Sequence, residues 1–190
     1  MIQGSIASLS VCVVGLGYVG YPRTVAFSQH LRTIGDLDVN ILAGRAINDA
    51  MPKHIAEIAI KELNRVGKVI RDSIVLIMGL TYKENVPDTR ESPAEEVIHE
   101  LKEFDIDVSG YDPLLSPAEI EQFGAKPVAS LKGLEDPVDC IIINSPHSVF
   151  AGLTLDAVLS ICDGKPIIVD VTGMLRNNGG VREECMYCTL

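Results

Sequence analysis

From residue 70 onward, short apolar runs alternate with segments whose apolar positions recur at helical spacing. Ile74–Met78 (IVLIM), Asp107–Tyr111, Cys140–Asn144 (CIIIN) and Pro166–Val171 (PIIVDV) predict strands. Most of these runs are continuously apolar rather than alternating, as expected where both faces of a strand are buried in a parallel sheet. Ser92-Pro-Ala-Glu95 predicts a helix start, with Ser92 as cap, Pro93 at the first helical position and Glu95 reaching back in a capping box. Val97, Ile98, Leu101 and Phe104 supply that helix's buried face. Ser116-Pro-Ala-Glu119 repeats the box on a shorter helix stopped at Gly124, and Leu155–Ile161 predicts a third. Strands alternating with helices define the α/β class: a Rossmann-like parallel sheet with helices on both faces, spanning residues 69–190.

The chain ahead of this domain has a different pattern. Ile47, Met51, Ile55, Ile58, Ala59, Leu63 and Val66 form an apolar stripe at helical period. With Pro52 in a first turn and Gly67 as a stop, they predict a long middle helix within residues 41–68, whose stripe suits a homodimer contact over 47–66. Earlier still, Leu9–Val14 reads as a buried strand, Tyr18–His30 as a helix and Thr33–Asp38 as a second strand. This βαβ unit, residues 1–40, has no continuation, and two strands alone cannot bury a core.

Composition narrows the function classes. The chain has 190 residues and a net charge of −10, which argues against nucleic acid or an anionic membrane as partner. No apolar run reaches the ~18–20 residues of a membrane span. MIQGSIASLS lacks the charged start and long apolar core of a secretory signal, so a cytoplasmic location is expected. The five cysteines are an odd number in a chain too large to need disulfides. Cys12, Cys140 and Cys162 sit in or beside apolar runs. Cys185 and Cys188 form a lone C-x-x-C without the second ligand pair that a structural zinc site requires, so no metal is expected.

Two segments carry candidate chemistry. Gly15-Leu-Gly17-Tyr18-Val19-Gly20 is a G-x-G-x-x-G turn between a predicted strand and helix, the context of a dinucleotide site. Gly15 permits the tight turn, Gly17 lets a pyrophosphate approach the backbone, and Gly20 lets the helix pack on the strand. Asp38 lies near the distance at which an acidic residue accepts from the ribose hydroxyls, and NAD is favoured over NADP. The second segment, Gly79–Pro93 (GLTYKENVPDTRESP), leaves the carboxyl end of a parallel strand, where such sheets bind ligands. Lys83 and Arg90 bring two cations there, and the following helix N-terminus adds donors. On the residues alone it reads equally as a pyrophosphate-facing edge or as a solvated loop.

Gly79-Leu-Thr-Tyr82-Lys83 followed by Asp88-Thr-Arg90-Glu-Ser-Pro93 resembles the signature of the nucleotide-sugar-binding domain of the UDP-glucose/GDP-mannose dehydrogenase family. Tyr111-Asp112-Pro113 and Ser145-Pro-His147-Ser-Val-Phe150 resemble its next ligand-side edges, and a histidine at 147 resembles the UDP-N-acetyl-D-mannosamine dehydrogenase branch more than the UDP-glucose branch. Ala43–Asp49 resembles the entry to the family's middle helix, and Val13–Gly20 its NAD site. The resemblance implies that Tyr82 and Lys83 contact a UDP-sugar, that Arg90 reaches NAD, and that Gly15, Gly17, Tyr18, Val19, Gly20 and Asp38 hold NAD. It implies oxidation of a sugar C6 alcohol to a carboxylate through a cysteine thiohemiacetal, in polysaccharide biosynthesis. None of the five cysteines here has the neighbours of that nucleophile. The chain therefore reads as an internally deleted dehydrogenase with no catalytic residue of its own, or as a nucleotide-sugar-binding module. A plain NAD-binding protein is the third reading.

Overall fold

The computed structural model describes the backbone of residues 37–190 except Asn178, and side chains from residue 48 onward. The chain divides into two compact units, Met1–Ala50 and Met51–Leu190. The strand Leu9–Val14, the helix Tyr18–His30 and most of the strand Thr33–Asp38 lie outside the described residues.

Helix α1 runs from Leu37 to Arg65. It replaces the last residues of the predicted second strand and begins well ahead of the expected start. Asp38 falls in its first turn. Pro52 is inside the helix rather than at its start, and forfeits one intrahelical bond without ending it. The C-terminal stop is as expected. Gly67 adopts φ 78°, its N–H donates to Asn64 O, and Lys68 N–H donates to Leu63 O, the pair of bonds that closes a Schellman motif.

Six parallel strands follow: β1 (Ile74–Met78), β2 (Asp107–Tyr111), β3 (Lys126–Pro127), β4 (Val138–Ile143), β5 (Cys162–Asp170) and β6 (Met186–Thr189). Their spatial order is β3-β2-β1-β4-β5-β6, the doubly wound order in which β1 and β4 lie side by side and the chain departs from them in opposite directions. Helices α2 (Pro93–Lys102), α3 (Pro117–Gln122), α4 (Leu155–Leu159) and α5 (Val181–Glu184) complete the unit.

The strands alternate their side chains between two cores. Val75, Ile77, Val108, Cys140, Ile142, Ile167 and Val169 face Ile55, Ala59 and Leu63 of α1, Val97, Ile98 and Leu101 of α2, and Ile120 of α3. Leu76, Met78, Ile141, Ile143 and Ile168 face Phe150, Val158 of α4, Leu175 and Val181 of α5. Burying a side chain of this size is worth roughly 1.5–3 kcal/mol, so both faces of the central strands need their helical cover. Ile55, Ala59 and Leu63 of the α1 stripe are thus spent on the chain's own sheet, with Met51, Ile58 and Val66 partly buried beside them.

At the amino ends of the strands, a register shift between Val138 and Cys140 frees the Asp139 carboxylate. It accepts from Ile74 N–H at 2.9 Å and from Lys68 Nζ at 2.6 Å. Lys68 also reaches Asp163 Oδ2 at 3.0 Å, tying the end of α1 to three strand starts. Burial acts against the Lys68 charge, but these bonds to Asp139 and Asp163 outweigh it and raise its pKa.

Three expectations of local structure change. Ser92 caps α2, but its hydroxyl also donates to Leu80 O at 2.6 Å, and the Glu95 side chain does not close a box; Ser116 and Glu119 do. Phe104 is half-exposed because α2 ends at Lys102. Strand β5 begins before Pro166, at Cys162, while β3, β6 and α5 were not visible in the hydrophobic pattern.

Candidate nucleotide-binding edge

Strand order reverses between β1 and β4, and sheets of this order bind ligands in the crevice beyond the carboxyl ends of the strands at that point. Gly79, which leaves β1, adopts φ 77°, and a Cβ there would lie 2.2 Å from Ser145 O. Only glycine lets the two chain exits approach this closely. Asn144 Nδ2 donates to Gly79 O at 3.0 Å, and Ser145 Oγ donates to Thr81 O at 2.8 Å.

The loop from Gly79 to Pro93 is built on this floor. Asp112, just after β2, is almost fully buried, and its carboxylate accepts from Leu80 N–H (2.7 Å), Thr81 N–H (3.2 Å) and Leu114 N–H (2.9 Å). His147 Nε2 lies 3.1 Å from Asp112 Oδ2 and 3.2 Å from Thr81 Oγ1, and Nδ1 accepts from Asn85 N–H at 2.9 Å. The Thr81 hydroxyl donates to Lys83 O, and Asn85 Oδ1 accepts from both the amide and the hydroxyl of Ser148. Asn85 adopts φ 60°, a left-handed conformation that asparagine tolerates better than most residues.

Lys83 and Arg90 both project from this loop and are exposed. Lys83 Nζ stands 5.9 Å from the Tyr82 ring centroid and makes no ion pair among the described residues. Arg90 is gripped by Asp88, Nε to Oδ1 and an Nη to Oδ2, each at 2.9 Å. That two-pronged contact, with the Arg90 N–H and the neighbouring charges, holds the Asp88 pKa down at about 2. The loop therefore presents one ammonium and one oriented guanidinium at the switch point, beside the N-terminus of α2. This arrangement suits a diphosphate.

Of the residues expected from the sequence, Tyr82, Lys83 and Arg90 are brought together on one loop. Gly15, Gly17, Tyr18, Val19 and Gly20 lie outside the described residues. Asp38 lies in the first turn of α1 rather than at the end of a strand. The resemblance set Asp112, Ser145 and His147 on ligand-side edges without a contact for any of them, and Asn85 stood out in no way. Asp112-Pro113 was legible as a strand stop, but its carboxylate function depends on the neighbouring β1 exit, which no local pattern reveals.

A second buried carboxylate, Asp170 at the end of β5, organises the far side of the edge. It accepts from Gly173, Met174 and Leu175 N–H and from Tyr187 Oη at 2.7 Å. Burial, then this bond to Asp170, raises the Tyr187 pKa. The described thiols are shifted away from reactivity. Burial pushes Cys140 well up and Cys162 up to about 12, and also raises Cys185 and Cys188. A nucleophilic cysteine needs the opposite shift. No group of three or more potential metal ligands occurs among the described residues, nor any helix long and apolar enough to cross a membrane. A cleft of about 400 Å³ lies away from the crevice, between Ile74, Val108, Lys126, Val128 and Leu134 near the amino ends of the strands. None of the loop cations lines it.

Residues 76–177 match the model of the UDP-glucose/GDP-mannose dehydrogenase family, UDP binding domain. The chain belongs to this family. Its matched segment begins inside β1 and takes in the whole crevice, including Lys83, Arg90, Asp112 and His147. Protein CapL of Staphylococcus aureus is 34% identical over 138 residues, covering 73% of this chain and 32% of the relative. A UDP-N-acetyl-D-mannosamine dehydrogenase of Methanococcus maripaludis is also 34% identical, over 140 residues, with 73% and 31% covered. The chain thus spans about a third of the length of these curated relatives. Among solved structures, the UDP-N-acetyl-mannosamine dehydrogenase Cap5O of Staphylococcus aureus superposes with a TM-score of 0.62 at 26% identity, over 82% of this chain and 33% of that one. An NDP-N-acetyl-D-galactosaminuronic acid dehydrogenase of Methanosarcina mazei reaches 0.70 at 20% identity, with 90% and 35% covered, and supports the fold.

Proposed function

We propose that this chain is a nucleotide-sugar-binding module of the dehydrogenase family, taking the UDP group of a UDP-sugar at the β1–β4 crevice. Lys83 meets the phosphates, and Tyr82 contacts the nucleotide sugar. The observation that carries this reading is a loop pinned at the switch point that holds the exposed Lys83 ammonium out of any ion pair among the described residues, while Asp88, itself gripped by Arg90, only feels its charge. An ammonium so placed is available to an anionic ligand.

The family's complete activity is NAD-dependent oxidation of a UDP-sugar C6 alcohol to the carboxylate, and we take UDP-N-acetylmannosamine as the sugar, from His147 and the likeness to relatives named for it. For this chain alone we propose no turnover, because it lacks a cysteine with the neighbours of the family's nucleophile. Arg90 faces the edge that NAD would approach in a complete enzyme. A cytoplasmic setting, a role in polysaccharide biosynthesis and a homodimer complete the proposal. The dimer contact would use half-buried Met51, Ile58 and Ile60 beside the buried stripe of α1.

Thermal unfolding with UDP, UDP-N-acetylmannosamine and NAD tests the reading, since a ligand stabilises only the fold that binds it. The expected result is a rise in Tm with UDP and the UDP-sugar, none with NAD, and no NADH formed from the sugar. A shift with NAD alone, or steady NADH production, contradicts it.

A further inference from the structure

The crevice contains a buried histidine that no substrate atom needs to touch. His147 is 1% exposed and packs edge-on against Phe150, with ring centroids 5.3 Å apart. Its protonation pattern follows from its neighbours. Nδ1 faces the Asn85 N–H, which can only donate, so Nδ1 must be bare. The Thr81 hydroxyl gives its one proton to Lys83 O at 3.0 Å, so toward the histidine it can only accept. Asp112 Oδ2 accepts as well. Both neighbours of Nε2 therefore require an N–H there, and one proton is shared between them at 3.1 and 3.2 Å.

We propose that His147 is the positioning residue of the Gly79–Pro93 loop: as the neutral Nε2–H tautomer it joins the Asp112 carboxylate to Thr81 and to the Asn85 amide, and so fixes where Lys83 stands. Its two contacts bracket Lys83, one through Thr81 to the Lys83 carbonyl and the other at the Asn85 amide. The assignment rests on the proposed function only for the use made of the loop; the coupling itself is a property of the unliganded chain. Asp112 keeps three backbone N–H donors without the histidine, so a variant at 147 retains the floor of the crevice.

Two substitutions separate the two halves of the ring. His147→Asn places a carbonyl oxygen near Nδ1 and can still accept from Asn85 N–H. His147→Gln places an amide N–H near Nε2 and can still donate to Asp112, but loses the acceptor. Residue-resolved amide hydrogen exchange on the full chain should show Asn85 exchanging at least tenfold faster in His147→Gln. In His147→Asn it should stay within about threefold of the unsubstituted chain, and Ile77 and Ile142 should be unchanged in both. Nitrogen-15 spectra at neutral pH should show His147 protonated at Nε2 alone. Equal exchange at Asn85 in the two variants, a loss of protection spread over β1 and β4, or a proton on Nδ1 would overturn the assignment. Failure of the unsubstituted chain to bind UDP, with this exchange pattern intact, would sink the proposed function and leave the positioning role standing.

Discussion

Gly79 and the carbonyl of Ser145 approach so closely that one methyl group cannot fit between them: a Cβ on Gly79 would sit 2.2 Å from that oxygen. The contact closes the floor of the crevice and sets the separation of the β1 and β4 exits. Gly67 provides the control, since it has nearly the same φ, 78° against 77°, with nothing within 4 Å. Gly67→Ala should cost the left-handed backbone penalty alone, about 1 kcal/mol. Gly79→Ala adds the clash and should cost roughly 3 kcal/mol or more in urea denaturation. Equal losses would mean that the close approach has no energetic weight.

The grip of Asp88 on Arg90 has a pH signature. Because the Asp88 pKa is held near 2, below the ordinary aspartate value of ~3.9, the pair contributes above that ordinary value and is lost as pH falls through about 2. Carbon-13 titration of the Asp88 carboxyl should show this low midpoint. Arg90→Ala should return it toward the ordinary value, and high salt should reduce the difference because the pair is solvent-facing. An ordinary midpoint in the unsubstituted chain would show that Arg90 is not held.

Tyr187 and Asp170 give a third expectation, of opposite sign. A phenol whose folded pKa lies above ~10 contributes stability below that value and loses it as pH rises through the folded pKa. Tyr187 should therefore still be un-ionised when exposed tyrosines titrate. Tyr187→Phe removes one hydrogen bond to a carboxylate and should destabilise by about 1.5 kcal/mol. Asp170→Ala leaves the Met174 and Leu175 N–H groups without their acceptor, Gly173 N–H keeping the Asp170 carbonyl, and should destabilise by more.

Strand β1, the stop after β2 and the caps at Ser92 and Ser116 were legible because each is written in local chemistry: a continuous apolar run, Asp112-Pro113, or a serine before proline. Strands β3 and β6 were not. Lys126–Pro127 is too short to carry a pattern, and Met186–Thr189 is a half-buried edge that reads as mixed. Helix α1 exceeded its expected length because Pro52 reads as a first-turn residue, whereas it lies inside the helix. Within the site, Lys83 and Arg90 were found by charge at a strand exit. Their supports, Asp112 and His147, lie 32 and 66 residues from the loop positions they bond, and only the doubly wound order brings them together.

Calorimetric titration of the full chain with UDP, beside Lys83→Ala, tests the central claim most directly. A bound diphosphate should give measurable heat with one site per chain. Lys83→Ala should weaken it at least tenfold, about 1.4 kcal/mol, with thermal stability unchanged. No heat with the unsubstituted chain, or equal affinity in the variant, would contradict the assignment of this edge to a nucleotide sugar.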